Sequence, residues 1–66
     1  MSNIGVDCSK WPSGETCSVQ LTGDEEHVVT AAARHRASEH GDVESEARAN
    51  INAALDDPAK PYAWHI

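Results

Sequence analysis

Apolar and polar residues alternate in short runs over the first third of the chain, then switch to a spacing of three and four. "GVDC" (residues 5–8) fits a short strand. "KWPSGET" carries Pro12, Ser13 and Gly14, the composition of a hairpin loop. In "CSVQL" (17–21), Cys17, Val19 and Leu21 fall on one face, the mark of a half-buried strand. The pattern predicts a β-hairpin with one cysteine on each arm.

From Thr22 the period becomes helical. Thr22 followed by Glu25 fits a capping box, and Asp24, Glu25 and Glu26 suit the positive end of a helix dipole. Val28, Ala31, Ala32 and His35 make one inward face, and Gly41 is placed to end the helix in the left-handed conformation. Asp42 then caps a second helix through "VESEARANINAALDD". Its apolar positions Val43, Ala47, Ile51, Ala54 and Leu55 again follow three-and-four spacing. Pro58 and Pro61 stop it. "PAKPYAWHI" is a shift in composition, with Tyr62, Trp64 and Ile66 alternating as on one face of an extended strand. The expected organisation is a ββαα domain over residues 1–57 and a Pro/aromatic tail over 58–66, folding back or docking on a neighbouring chain.

Composition then sharpens the picture. Large aliphatic residues are few, phenylalanine is absent, and much of the apolar content is alanine, which contributes little burial per residue. A 66-residue chain with so thin a core calls for a staple. The formal charge of -6 and the scatter of Lys10, Arg34, Arg36, Arg48 and Lys60 among eleven acids exclude a basic stripe. Nucleic acid and anionic membrane surfaces are therefore not expected partners. No apolar run approaches the roughly 20 residues needed to span a bilayer. "MSNIGVDCSKW" lacks the basic head and apolar stretch of a secretory signal, so the expected compartment is the reducing cytoplasm, where a structural disulfide is disfavoured.

That leaves Cys8 and Cys17 to be explained, and His35 and His40 supply the leading explanation. The order Cys8, Cys17, His35, His40 is the ligand set of a closed Cys₂His₂ zinc site, structural rather than catalytic. His-x₄-His falls within the usual window for such a pair. On an ideal α-helix, however, a five-residue step turns about 500° and leaves the side chains roughly 140° apart. The two converge only if the last turn distorts, into 3₁₀ or into an unwound cap, and Gly41 is where unwinding is cheapest. Cys-x₈-Cys is wider than a tight zinc knuckle, but a hairpin brings opposed residues to a Cβ separation of about 4.5–5.5 Å. The alternatives are a reversible Cys8–Cys17 disulfide, or buried cysteines beside surface histidines. His27 is expected to be an exposed first-turn residue that could replace a ligand.

The run "CSVQLTGDEEHVVTAAARHRASEHG" resembles the small prokaryotic family called domain of unknown function 1059. The likeness rests on Cys8, Cys17, Gly23, Glu25, Val28, Ala32, His35, His40 and Gly41 and covers roughly residues 5 to 56. It implies the hairpin-plus-helices fold and the grouping of the four candidate ligands, and it assigns no reaction. The loop "SKWPSGET" and the aromatic tail depart from the family pattern.

An enzyme is not expected. A domain this small leaves no room for a pocket of about 300 Å³, and the acids read as solvated helix faces. The expectation is an α+β, zinc-finger-like ββα unit plus one helix: a small zinc-binding module for protein interaction or regulation. Trp11 in the loop and Tyr62 and Trp64 in the tail serve either as interface anchors or as cover for the core. The partner is another protein or a second copy of the chain. The alternative functions are a peptide precursor whose "YAWHI" segment is modified, and a metal carrier.

Overall fold

The structure is a computed structural model that describes residues 2–11 and 17–66. Strand β1 spans Asn3–Asp7 and β2 spans Gln20–Asp24. They pair antiparallel, from Asn3 opposite Asp24 to Asp7 opposite Gln20. Helix α1 spans Glu25–His40, helix α2 spans Glu44–Leu55, and a final strand β3 spans Ala63–His65. Strand β3 adds antiparallel to the free side of β1, giving the sheet order β2-β1-β3. The protein is thus an α+β fold with an early hairpin and two helices, as the residue pattern predicts. Residues 58–66, set apart in the sequence as a tail, supply the third strand.

Strand β1 is central, and its alternation organises the core. Ile4 and Val6 are buried among Val28, Val29, Ala32 and Ala33 of α1 and Ala47, Ile51 and Ala54 of α2. The small residues Ala33 and Ala47, almost without exposure, let the helices approach closely across the short turn at residues 41–43. Gly5 is turned the other way, opposite Trp64 of β3. A Cβ at Gly5 would run into the Trp64 indole, whose Nε1 would lie 2.8 Å away. The missing side chain is what lets the ring lie on β1.

Several local expectations change once tertiary pairing is in place. Strand β2 begins at Gln20, so Cys17 and Val19 precede it, although the Cys8 N–H still reaches the Val19 carbonyl at 2.9 Å. Cys8 likewise lies beyond β1, in a 3₁₀ turn over Cys8–Lys10. The cysteines therefore extend the two arms rather than sit within them. The expected loop "KWPSGET" lies mostly outside the described residues. Trp11, however, is buried and not an exposed loop residue, with its ring centroid 4.6 Å from that of Tyr62.

Thr22 does not cap α1: it pairs with Gly5 in the sheet, and the first helical N–H, that of Glu25, donates to the Ser2 carbonyl at 3.0 Å. Gly23, at φ 145°, takes a conformation that favours glycine within β2, two residues before the helix begins. The buried face of α1 is Val28, Val29, Ala32, Ala33 and Arg36, with Ala31 exposed, because α1 packs on α2 as well as on the sheet. Val43, expected on the inner face of the second helix, is 55% exposed and takes the capping position expected of Asp42.

The final segment is also rearranged. Tyr62, Trp64 and Ile66 do not form one apolar face. Tyr62 precedes β3, is buried, and donates its hydroxyl to the Asn50 carbonyl of α2 at 3.4 Å, while Ile66 is 71% exposed.

Gly5→Val should destabilise the domain by about 1–3 kcal/mol through overpacking. In a Trp64→Ala background the same change should cost clearly less. Urea denaturation of the four-member cycle measures the coupling. Additive effects would mean that the indole does not rest on Gly5.

Candidate metal centre

The turn after β1 aims the first donor. Asp7, almost fully buried, accepts from the Ser9 N–H at 3.0 Å, the Ser9 hydroxyl at 2.6 Å and the Gln20 amide at 2.9 Å. The Ser9 hydroxyl and the Gln20 amide hold its carboxyl below the usual carboxylate range. The carboxylate thereby clamps the turn, whose Cys8 carbonyl accepts from the Trp11 N–H at 3.1 Å. Cys8 is left buried and Cys17, on the opposite arm, half-buried.

The other two donors come from the end of α1. Gly41 adopts φ 72°, and its N–H donates to the Arg36 carbonyl. The Asp42 N–H reaches the same carbonyl at 3.1 Å. Helix α1 is α-helical through His40, and the expected unwinding is confined to the cap at Gly41, where two N–H groups share the Arg36 carbonyl. His35 and His40 meet edge to face with ring centroids 5.0 Å apart.

The four side chains converge. Cys8 Sγ lies 3.4 Å from His40 Nε2, Cys17 Sγ 3.3 Å from His35 Nε2, and the two Nε2 atoms are 3.3 Å apart. One donor atom from each of Cys8, Cys17, His35 and His40 lies within 4.8 Å of all the others, and the four could hold a metal ion. His27 is exposed on the first turn of α1 and is not part of the cluster. A cation held here would lie at the C-terminal end of α1, where the helix dipole favours positive charge.

The two thiols differ electrostatically. The Val19 backbone N–H, assisted by hydrogen bonds from Cys8 and the two histidines, lowers Cys17 to about 6. Cys17 is therefore largely thiolate at neutral pH. Burial pushes the Cys8 thiol up, against the pull of Arg36.

Arg36 is the residue that sequence reasoning missed. It is 2% exposed, its Nη1 donates to Cys8 Sγ at 3.5 Å, and its guanidinium carbon lies 4.6 Å from the Trp11 ring centroid. Its Nε donates to Asp42 Oδ2 at 2.7 Å. One network thus joins a candidate ligand, a buried indole and the turn between the helices. The signal was present: Arg36 follows Val28 and Ala32 at steps of four, on the buried stripe. Its charge concealed it, since arginine is almost never fully buried unless paired.

No match emerges from comparison with protein-family models, curated proteins or solved structures.

Asp42→Ala would remove the partly exposed carboxylate from Arg36 while leaving its contact with Cys8, and the cost should be about 1–3 kcal/mol. Asp42→Asn, which keeps an acceptor, should cost less. Denaturant titration in metal-replete buffer checks this. A change within about 0.5 kcal/mol, the range of ordinary surface substitutions, would exclude a supporting role for the pair.

Proposed function

We propose that this protein is a small zinc-binding module whose metal ties the hairpin to α1 and whose surface serves protein interaction or regulation. The convergence of the four donor atoms carries the proposal. With Zn–S about 2.3 Å and Zn–N about 2.0–2.1 Å, a tetrahedral site has edges of about 3.3–3.4 Å between nitrogens and about 3.5–3.6 Å between nitrogen and sulfur. The observed 3.3 Å between nitrogens and 3.3 and 3.4 Å between nitrogen and sulfur are close to these edges. Two thiolates and two imidazoles suit zinc, and together they neutralise a dication.

Four protein donors leave no open coordination position, which favours a structural metal over a catalytic or readily exchanged one. Function then falls to the surface, whose acidic balance suits a protein partner better than nucleic acid. No helix among the described residues is long and apolar enough to cross a membrane. The likeness to the domain of unknown function 1059 family belongs to the same proposal, since its matched positions include all four donors and Gly41. The precursor reading has less support. Tyr62 is buried and Trp64 is packed on Gly5, so a modifying enzyme would first have to strip β3 from the sheet.

Protein purified without chelator should carry one zinc per chain, measured by elemental analysis. A stoichiometry near zero with both thiols freely reactive would reject the site. Because binding energy at such a site is largely folding energy, removal of the metal by a strong chelator should abolish the helical circular dichroism signal. Zinc should restore it. An unchanged melting curve after verified removal would show that the core stands without the metal.

A further inference from the structure

We propose that Cys8 and Cys17 form a peroxide-reactive dithiol, in which Cys17 is oxidised first and Cys8 resolves it, so that oxidation opens the metal centre. The inference rests on the zinc reading above and adds a chemistry to the same residues. Four observations carry it. The two sulfurs belong to a donor group lying within 4.8 Å of one another, so a modest movement brings them to the roughly 2.05 Å of a disulfide. Their access differs, with Cys8 4% exposed and Cys17 half-buried, so a small oxidant meets Cys17 first. Their tethers differ as well. Cys8 sits in a turn clamped by Asp7, whereas Cys17 precedes β2 in non-strand backbone. Finally, the buried Arg36 donates to Cys8 Sγ and holds that sulfur in place for attack on its neighbour.

The chemistry closes without a further reagent. Cys17 sulfur attacks one oxygen of hydrogen peroxide. The S–O bond forms, the O–O bond breaks, and the departing hydroxide leaves as water on taking a proton. Cys17, now a sulfenic acid, has lost two electrons to the peroxide. Cys8 sulfur then attacks Cys17 sulfur, the S–S bond forms and the S–O bond breaks. The second hydroxide takes a proton and leaves as water. In sum, two thiolates, one peroxide and two protons give one disulfide and two waters. A metal left with His35 and His40 alone has lost both of its anionic ligands and dissociates. Thiol reductant and zinc reverse the change.

The test begins with the metal content of the full chain, then adds hydrogen peroxide to the zinc-loaded protein. A chromogenic zinc indicator follows release, and intact mass follows loss of the two thiol hydrogens. Release in step with disulfide formation, with rebinding after dithiothreitol and zinc, is the expected result. Dimedone present during a brief exposure to substoichiometric peroxide should label Cys17, located by peptide mapping. Label on Cys8 instead, or sulfinic acid on both residues without a disulfide, would overturn the proposal. Retention of zinc with unmodified thiols under excess peroxide would overturn it while leaving the zinc site intact. A chain that carries no metal at the outset would overturn both.

Discussion

The end of a β-hairpin and the end of a helix must meet at one point in this molecule, and much else follows from that constraint. Cys8 and Cys17 leave the hairpin just beyond its paired residues, and His35 and His40 close the last turn and a half of α1. None of the four is held by its own element alone. Asp7 sets the turn that presents Cys8, Gly41 ends the helix in the left-handed conformation directly after His40, and Arg36 ties Cys8 to Asp42 in the turn between the helices. The connection into α2 is therefore bound electrostatically to the same centre.

The demand for such a centre comes from the poverty of the core. Alanine fills much of the helix interface, where it permits close approach but removes little apolar area from water. The aromatic residues make up part of the deficit, and each needs a special accommodation. Trp64 rests on β1 only because residue 5 is glycine. Trp11 and Tyr62 pack with their rings tilted at 47°, bringing the turn after β1 and the final segment together, and the Arg36 guanidinium lies over the same indole. Residues far apart in the chain thus share one small cluster beside the candidate ligands.

The chemistry of the centre divides along the same lines. Cys17 is the accessible and more acidic thiol, and Cys8 the buried one whose charge Arg36 offsets. Two cysteines that would be equivalent in a bare ligand inventory are made unequal by burial, by one backbone N–H and by one guanidinium. The difference in access between the two sulfurs, one buried and one half-buried, is what the oxidation proposal builds on.

Periodicity, capping glycine and ligand order were readable from the residues alone, because each is a local property. They placed both helices, the hairpin, the left-handed end at Gly41 and the grouping of Cys8, Cys17, His35 and His40. What the chain could not disclose depends on residues distant in sequence. Thr22 satisfies a local capping box, yet cross-strand pairing with Gly5 claims it. Asp42 is a good helix cap, yet the buried Arg36 attracts it more strongly. Val43 and Ala31 fit apolar stripes, but the direction from which a helix is covered depends on where its neighbours lie, and both are exposed. Trp11 looked like a loop residue until Tyr62, fifty-one positions later, packed against it. Local energies determined which elements form and which side chains carry chemistry. Burial and long-range electrostatics, which exist only in the assembled fold, decided which of those side chains face one another.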